Sequence, residues 1–128
     1  MSEERLAEVA RRVLEAEGTP ACELSIAVTD DETVCALNRE YAGEDAVTDV
    51  LSFSQREGEE FVAAPEGVPQ LGEVVIAYPQ AARQAIGSVD RETERLLVHG
   101  VLHLLGYDHA EPEEARRIRE REDTLLGR

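Results

Sequence analysis

The 128 residues suffice to bury one core without staples, and no internal repeat argues for more than a single domain over residues 1–128. Hydrophobic residues make up 42%, an ordinary globular share, and no apolar run approaches the roughly 18 residues a membrane span requires, so a soluble, cytoplasmic protein with no membrane partner is expected. The formal net charge of -15 argues against long-range steering of a polyanion by the whole-protein field, so a ligand must be bound locally; all 13 basic residues are arginine, and a few of them clustered could still offer a phosphate a bidentate fork.

From residue 3 to 17, Leu6, Val9, Ala10, Val13 and Leu14 recur at helical spacing and form one apolar face, so a first helix is expected, ended by Gly18 with Pro20. Cys22, Leu24, Ile26 and Val28 alternate with more polar neighbours, and CELSIAVT reads as a half-buried strand. Cys22 and Cys35 fall on different elements with no CxxC pattern, and both read as small buried hydrophobes rather than a disulfide or ligands. Asp30 or Asp31 is placed to cap a second helix that carries Val34, Leu37 and Tyr41 on one face and runs into Gly43.

TDVLSFS has the alternation of a second strand, with Val50 and Ser52 opposed to Leu51 and Phe53. Acidic residues and prolines break the pattern from 55 to 70, a surface loop or hairpin excursion, and LGEVVIAY follows as a third strand. Pro79 suits the first turn of a short helix, PQAARQAIG, stopped by Gly87, and Asp90 is placed to cap the strongly apolar helix beyond it. Pro112 opens a last helix whose mixed charges read as a solvated face anchored by Ile118 and Leu125. The fold class expected is α/β (α+β), one small mixed sheet of about four strands packed with about five helices, its strand order not specified by the pattern.

All three histidines lie in HGVLHLLGYDH, at positions 99, 103 and 109. His99 and His103 are four apart on the apolar helix, so their Cβ atoms stand about 5–6 Å apart on one face and both rings can converge on one ion. Zinc takes nitrogen ligands at about 2.0–2.1 Å in a tetrahedral array, so a third ligand has to arrive from off the helix. Gly106 supplies the means, since a glycine in the left-handed conformation ends a helix and lets the chain turn back to present His109. Three protein ligands on one Zn2+ leave a fourth position for water, a nucleophile at neutral pH once acidified toward a pKa of about 7. Asp108 either orients a ligand histidine or caps local amides in a turn. The pattern His-x3-His-x2-Gly-x2-His has the spacing of the metzincin proteases, but Gly100 stands where those enzymes carry a glutamate base, so proteolysis by that route has lost its base.

HGVLHLLGYDH, preceded by TDVLSFS and LGEVVIA, resembles the YbeY family of bacterial rRNA maturation endoribonucleases, over the chain from Leu37 to the final helix. The resemblance implies a zinc-dependent hydrolase that cuts single-stranded RNA, acts in maturation of the 3′ end of small-subunit (16S) rRNA and in ribosome quality control, and has rRNA and the small ribosomal subunit as partners. It also implies His99, His103 and His109 as the metal ligands. DNA is not an expected partner, and the sequence leaves the oligomeric state open.

The family typically carries Tyr-Arg where this chain has Tyr41 and Ala42. A guanidinium there would stabilise charge developing on a phosphate, and loss of such a donor commonly costs about 10²–10³ in rate. Arg39, one helical turn earlier, is the candidate to reach the cleft instead; the alternative is a solvated arginine paired with a carboxylate such as Glu40. Thr48, Asp49 and Ser52 either line a cleft and bond substrate or are turn chemistry at a strand start. The RNA path is expected between the histidine helix and the Arg39 helix. Ala42 and the acidic charge favour a second function class, a metal-binding ribosome-assembly factor with weak or no nuclease activity.

Overall fold

The computed structural model describes residues 2–19, 22–43, 48–54, 56–57, 60–63, 69–107 and 111–128. Ser2 caps helix α1 (Glu3–Ala16), its Oγ accepting from the Arg5 N–H at 3.2 Å, and the predicted face of Leu6, Val9, Ala10 and Val13 is buried. Strand β1 (Glu23–Thr29) leads to helix α2 (Asp31–Ala42). Asp30, not Asp31, is the cap: its Oδ1 accepts from the Thr33 N–H at 2.7 Å, a bond that holds the Asp30 carboxyl below its ordinary range. Strand β2 (Val50–Ser54), the short strands β3 (Arg56–Glu57) and β4 (Glu60–Ala63), strand β5 (Pro69–Ala77), and helices α3 (Tyr78–Gln84), α4 (Val89–Leu104) and α5 (Pro112–Leu126) complete the order.

β5 is the centre of the sheet. β1 runs parallel along one edge, from Ser25 opposite Glu73 to Thr29 opposite Ala77. The other edge is shared by two antiparallel partners, β2 from Val50 opposite Ile76 to Ser54 opposite Gly72, and β4 with Val62 opposite Gln70. The α+β class holds. Among the described residues the sheet has five strands rather than about four, because the excursion after β2 folds into the β3–β4 hairpin; the order is β1-β5-β4-β3, with β2 also paired to β5.

Alternation along β5 divides the core into two layers. Val74 and Ile76 face α4, with α1 and α5 packed around it, whereas Val75 and Ala77 face α2 and meet Val34, Leu37, Leu51 and Phe53. Val50 joins the first layer, so the opposition predicted along β2 is observed. β1 departs at its end: Leu24 and Ile26 pack inward, but Val28 is exposed.

α4 is sealed on most of its circumference by Leu96, Leu97, Val98, Val101, Leu102 and Leu104, as a helix apolar nearly all round must be. Its cap is Ser88, whose Oγ accepts from the Arg91 N–H at 3.3 Å; Asp90 lies inside the first turn, where its charge favours the helix dipole. Among the described residues no helix is long and apolar enough to cross a membrane.

Candidate metal centre

His99 and His103 lie on the partly exposed strip of α4, one turn apart, and their rings meet edge to face with centroids 4.6 Å apart. The two Nε2 atoms are 3.1 Å apart. Two nitrogens on one tetrahedral zinc would stand about 3.3–3.4 Å apart, so the pair already has nearly the spacing that ion requires.

β2 forms the facing wall. Thr48, Asp49, Ser52 and Ser54, with His99 and His103, line a cleft of about 430 Å³. Two of these groups also serve the fold. Ser52 donates from Oγ to the Gly100 carbonyl at 3.1 Å, strapping β2 to α4, and Asp49 accepts from Gln84 Nε2 at 3.1 Å while its own carbonyl accepts from the Ala77 N–H at 2.9 Å. Gly100 is a packing position: a Cβ there would come within 2.7 Å of Val74 Cγ1 and 3.1 Å of Ser52 Oγ. The residue after the first histidine therefore faces the sheet, and a side chain in that place is excluded by contact.

Behind His99 stands a residue that sequence reasoning left among solvated charges. Glu122 on α5 is 2% exposed, and its Oε2 lies 2.6 Å from His99 Nδ1. Its Oε1 accepts from Arg95 NH1 at 3.3 Å, and Arg95 also grips Glu92 at two points, 2.9 and 2.8 Å, an arrangement that raises the guanidinium pKa above its ordinary range. Glu92 in turn accepts from Gln84 Nε2 at 2.6 Å. The signal in the sequence was position: Glu122 falls four residues after Ile118 and three before Leu125, on the face assigned to the anchors.

α4 ends as Gly106 predicts. Gly106 has φ +106°, its N–H donates to the His103 carbonyl at 3.0 Å, and the Tyr107 N–H donates to the Leu102 carbonyl at 3.0 Å, the paired bonds of a Schellman motif. Tyr107 is then fixed by its hydroxyl, which donates to Glu17, the C-cap of α1, at 3.1 Å, while Arg121 Nε donates to the same carboxylate at 2.7 Å. Burial first, and Glu17 second, push the Tyr107 phenol up. His109 and Asp108 lie outside the described residues, and among the described residues no cluster of three or more His, Cys, Asp or Glu is placed to hold a metal ion.

The predicted cleft between the histidine helix and the Arg39 helix is not the one observed. α2 is committed to the opposite face of the sheet, because Val75 and Ala77 need covering there. Arg39 is exposed on that helix and does not line the histidine cleft. The C-terminal half of α2 instead contributes Leu37 and Tyr41 to a second groove, which shares Ser52 and Ser54 with the first. The Ala42 side chain lies outside the described residues. Cys22 and Cys35 are partly buried and form no disulfide, and burial raises the Cys22 thiol.

The family model described as Endoribonuclease YbeY matches residues 1–128. Endoribonuclease YbeY of Pelotomaculum thermopropionicum is 48% identical over 127 residues, covering 96% of this chain and 83% of that protein. Endoribonuclease YbeY of Symbiobacterium thermophilum is 44% identical over 133 residues, covering 98% and 85%. The solution structure of TM1509 from Thermotoga maritima has the same fold, with a TM-score of 0.59 and 22% identity over 97% of this chain and 81% of that one. The match of the family model from end to end, together with relatives this similar over most of both lengths, means that the chain belongs to the YbeY endoribonuclease family.

Proposed function

We propose that this protein is a zinc-dependent, single-strand-specific endoribonuclease of the cytoplasm, acting on the 3′ end of small-subunit (16S) rRNA and in ribosome quality control. Family membership supports the endoribonuclease and rRNA-processing part of this reading. The observation that carries the metal centre is the pair of imidazole nitrogens 3.1 Å apart on the wall of a polar cleft. His99, His103 and His109 would hold one Zn2+. Bound there, the ion supplies Lewis acidity toward a phosphodiester and acidifies water.

The chain's own residues shape the site around that chemistry. His99 is gripped from behind by Glu122, and the α4–β2 gap is set by the strap from Ser52 to Gly100. Thr48, Asp49 and Ser54 present polar groups across the cleft, where an RNA strand would lie. A second reading, a metal-binding assembly factor with weak or no nuclease activity, is favoured by one observation: among the described residues, no arginine lines this cleft.

The test pairs elemental analysis of the purified protein with cleavage of single-stranded fragments from the 3′ region of small-subunit rRNA, using His103→Ala as control. Stoichiometric zinc and cleavage that the variant loses are the expected results. Zinc without cleavage would favour the assembly-factor reading, and protein without stoichiometric metal would overturn the metal centre.

A further inference from the structure

We infer that Glu122 is a positioning residue for the metal centre: it holds the proton of His99 on Nδ1 and thereby leaves Nε2 unprotonated, turned toward the cleft. The inference deepens the metal reading above and rests on it for its purpose, but not for its geometry. A neutral imidazole has one nitrogen that donates and one that accepts, and the partner of one nitrogen decides which is which. An ionised carboxylate only accepts, and Glu122 Oε2 lies 2.6 Å from Nδ1, so the proton belongs on Nδ1. Nε2 is then the lone pair, on the side where His103 Nε2 stands 3.1 Å away.

Glu122 is itself held. Its second oxygen takes Arg95, Arg95 is locked by a two-point pair to Glu92, Glu92 takes Gln84, and Gln84 donates to Asp49. This chain of polar contacts begins at Asp49 on the β2 wall and ends at His99 on the α4 wall of the same cleft. A strut between α4 and α5 would be complete with Arg95 and one carboxylate oxygen. The second oxygen, aimed at a histidine from a buried position, is what a positioning role requires.

The primary measurement is the tautomer of His99 in the metal-free protein, read from the 15N shifts and couplings of its ring at about pH 9, above the ordinary imidazole range. The proton is expected on Nδ1 in the parent. Glu122→Met removes both oxygens at similar volume, and should shift the proton toward Nε2 and weaken zinc binding, measured by chelator competition, by about 10–100-fold. Glu122→Gln, the variant closer in shape, should weaken zinc binding in the same direction. A parent ring protonated on Nε2 would overturn the inference, whether or not either variant folds. So would a folded Glu122→Met that keeps both the Nδ1 proton and the parent's zinc affinity. If the parent ring is protonated on Nδ1 but no zinc binds, the metal reading fails and the tautomer assignment stands; if zinc binds and the ring is protonated on Nε2, this inference alone fails.

Discussion

At position 100, a missing side chain determines how closely the histidine helix approaches the sheet. Val74 is fully buried on the central strand, and its short branched side chain has no room to swing away from a Cβ placed 2.7 Å from Cγ1. Gly100→Ala is therefore expected to cost about 1–3 kcal/mol, the usual range for overpacking a filled core, measured as a shift of the urea midpoint at unchanged slope. Gly100→Glu should be worse and should yield no peptidase, since that position faces Val74 and not the cleft. A Gly100→Ala protein within about 0.5 kcal/mol of its parent would mean that the contact relaxes freely. The histidine pair was legible from sequence because i, i+4 geometry is local to one helix. The role of Gly100 was not, because spacing records an absent glutamate, whereas the distance to Val74 exists only once the sheet has formed. Glu122 was missed for a different reason: its place on the face of Ile118 and Leu125 was readable, but in a helix rich in both charges that position was outweighed by the charge run around it.

At the scale of elements, the junction of α3 with α4 is held by a carboxylate taken partly out of water. Burial pushes Glu92 up, but the bonds from Arg95 and Gln84 together overcome it and leave its carboxyl below the ordinary range. The unfolded chain then binds that proton at a higher pH than the native one does. The stability Glu92 contributes is fully present above the ordinary carboxylate range and is lost as pH falls through the lowered native value. Glu92→Gln should accordingly be less stable than its parent at neutral pH, and should lose less on acidification below about pH 4. Urea midpoints across that range check it; parallel curves for the two proteins would count against the ion pair as a source of acid lability. The elements themselves were largely legible, since caps and periodicity are local: α1, α2, α4 and the excursion hairpin follow from their own residues. The cap of α4 was misplaced because Ser88 and Asp90 are both capping types, and only the backbone shows which is extended and reaches forward to Arg91. Strand order was not legible because β1 pairs with β5 across one intervening helix and three strands, a choice made by packing on both faces of β5.

For the whole molecule, 28 acidic residues against 13 arginines set the terms on which RNA is met. Many of those arginines are already engaged: Arg5 with Glu94, Arg83 with Asp31, Arg95 with Glu92, Arg116 with Glu120, and Arg121 with Glu17. Arg91, Arg95 and Arg128 line a groove that shares Asp49 with the histidine cleft and also includes Glu92, so there too the positive charge is diluted. A single strand gains its salt-sensitive affinity from the counterions each phosphate contact releases, about 0.7 in the log–log slope per contact. With about two such contacts available, and with protein–RNA repulsion relieved as salt rises, affinity for a single-stranded oligonucleotide should fall less than about tenfold between about 50 and 200 mM salt. Fluorescence anisotropy on the His103→Ala variant, which keeps the surface charge and on the proposed reading does not cleave, measures that slope. A loss approaching about 10³-fold would correspond to about seven phosphate contacts, and would mean that arginines outside this groove hold the RNA.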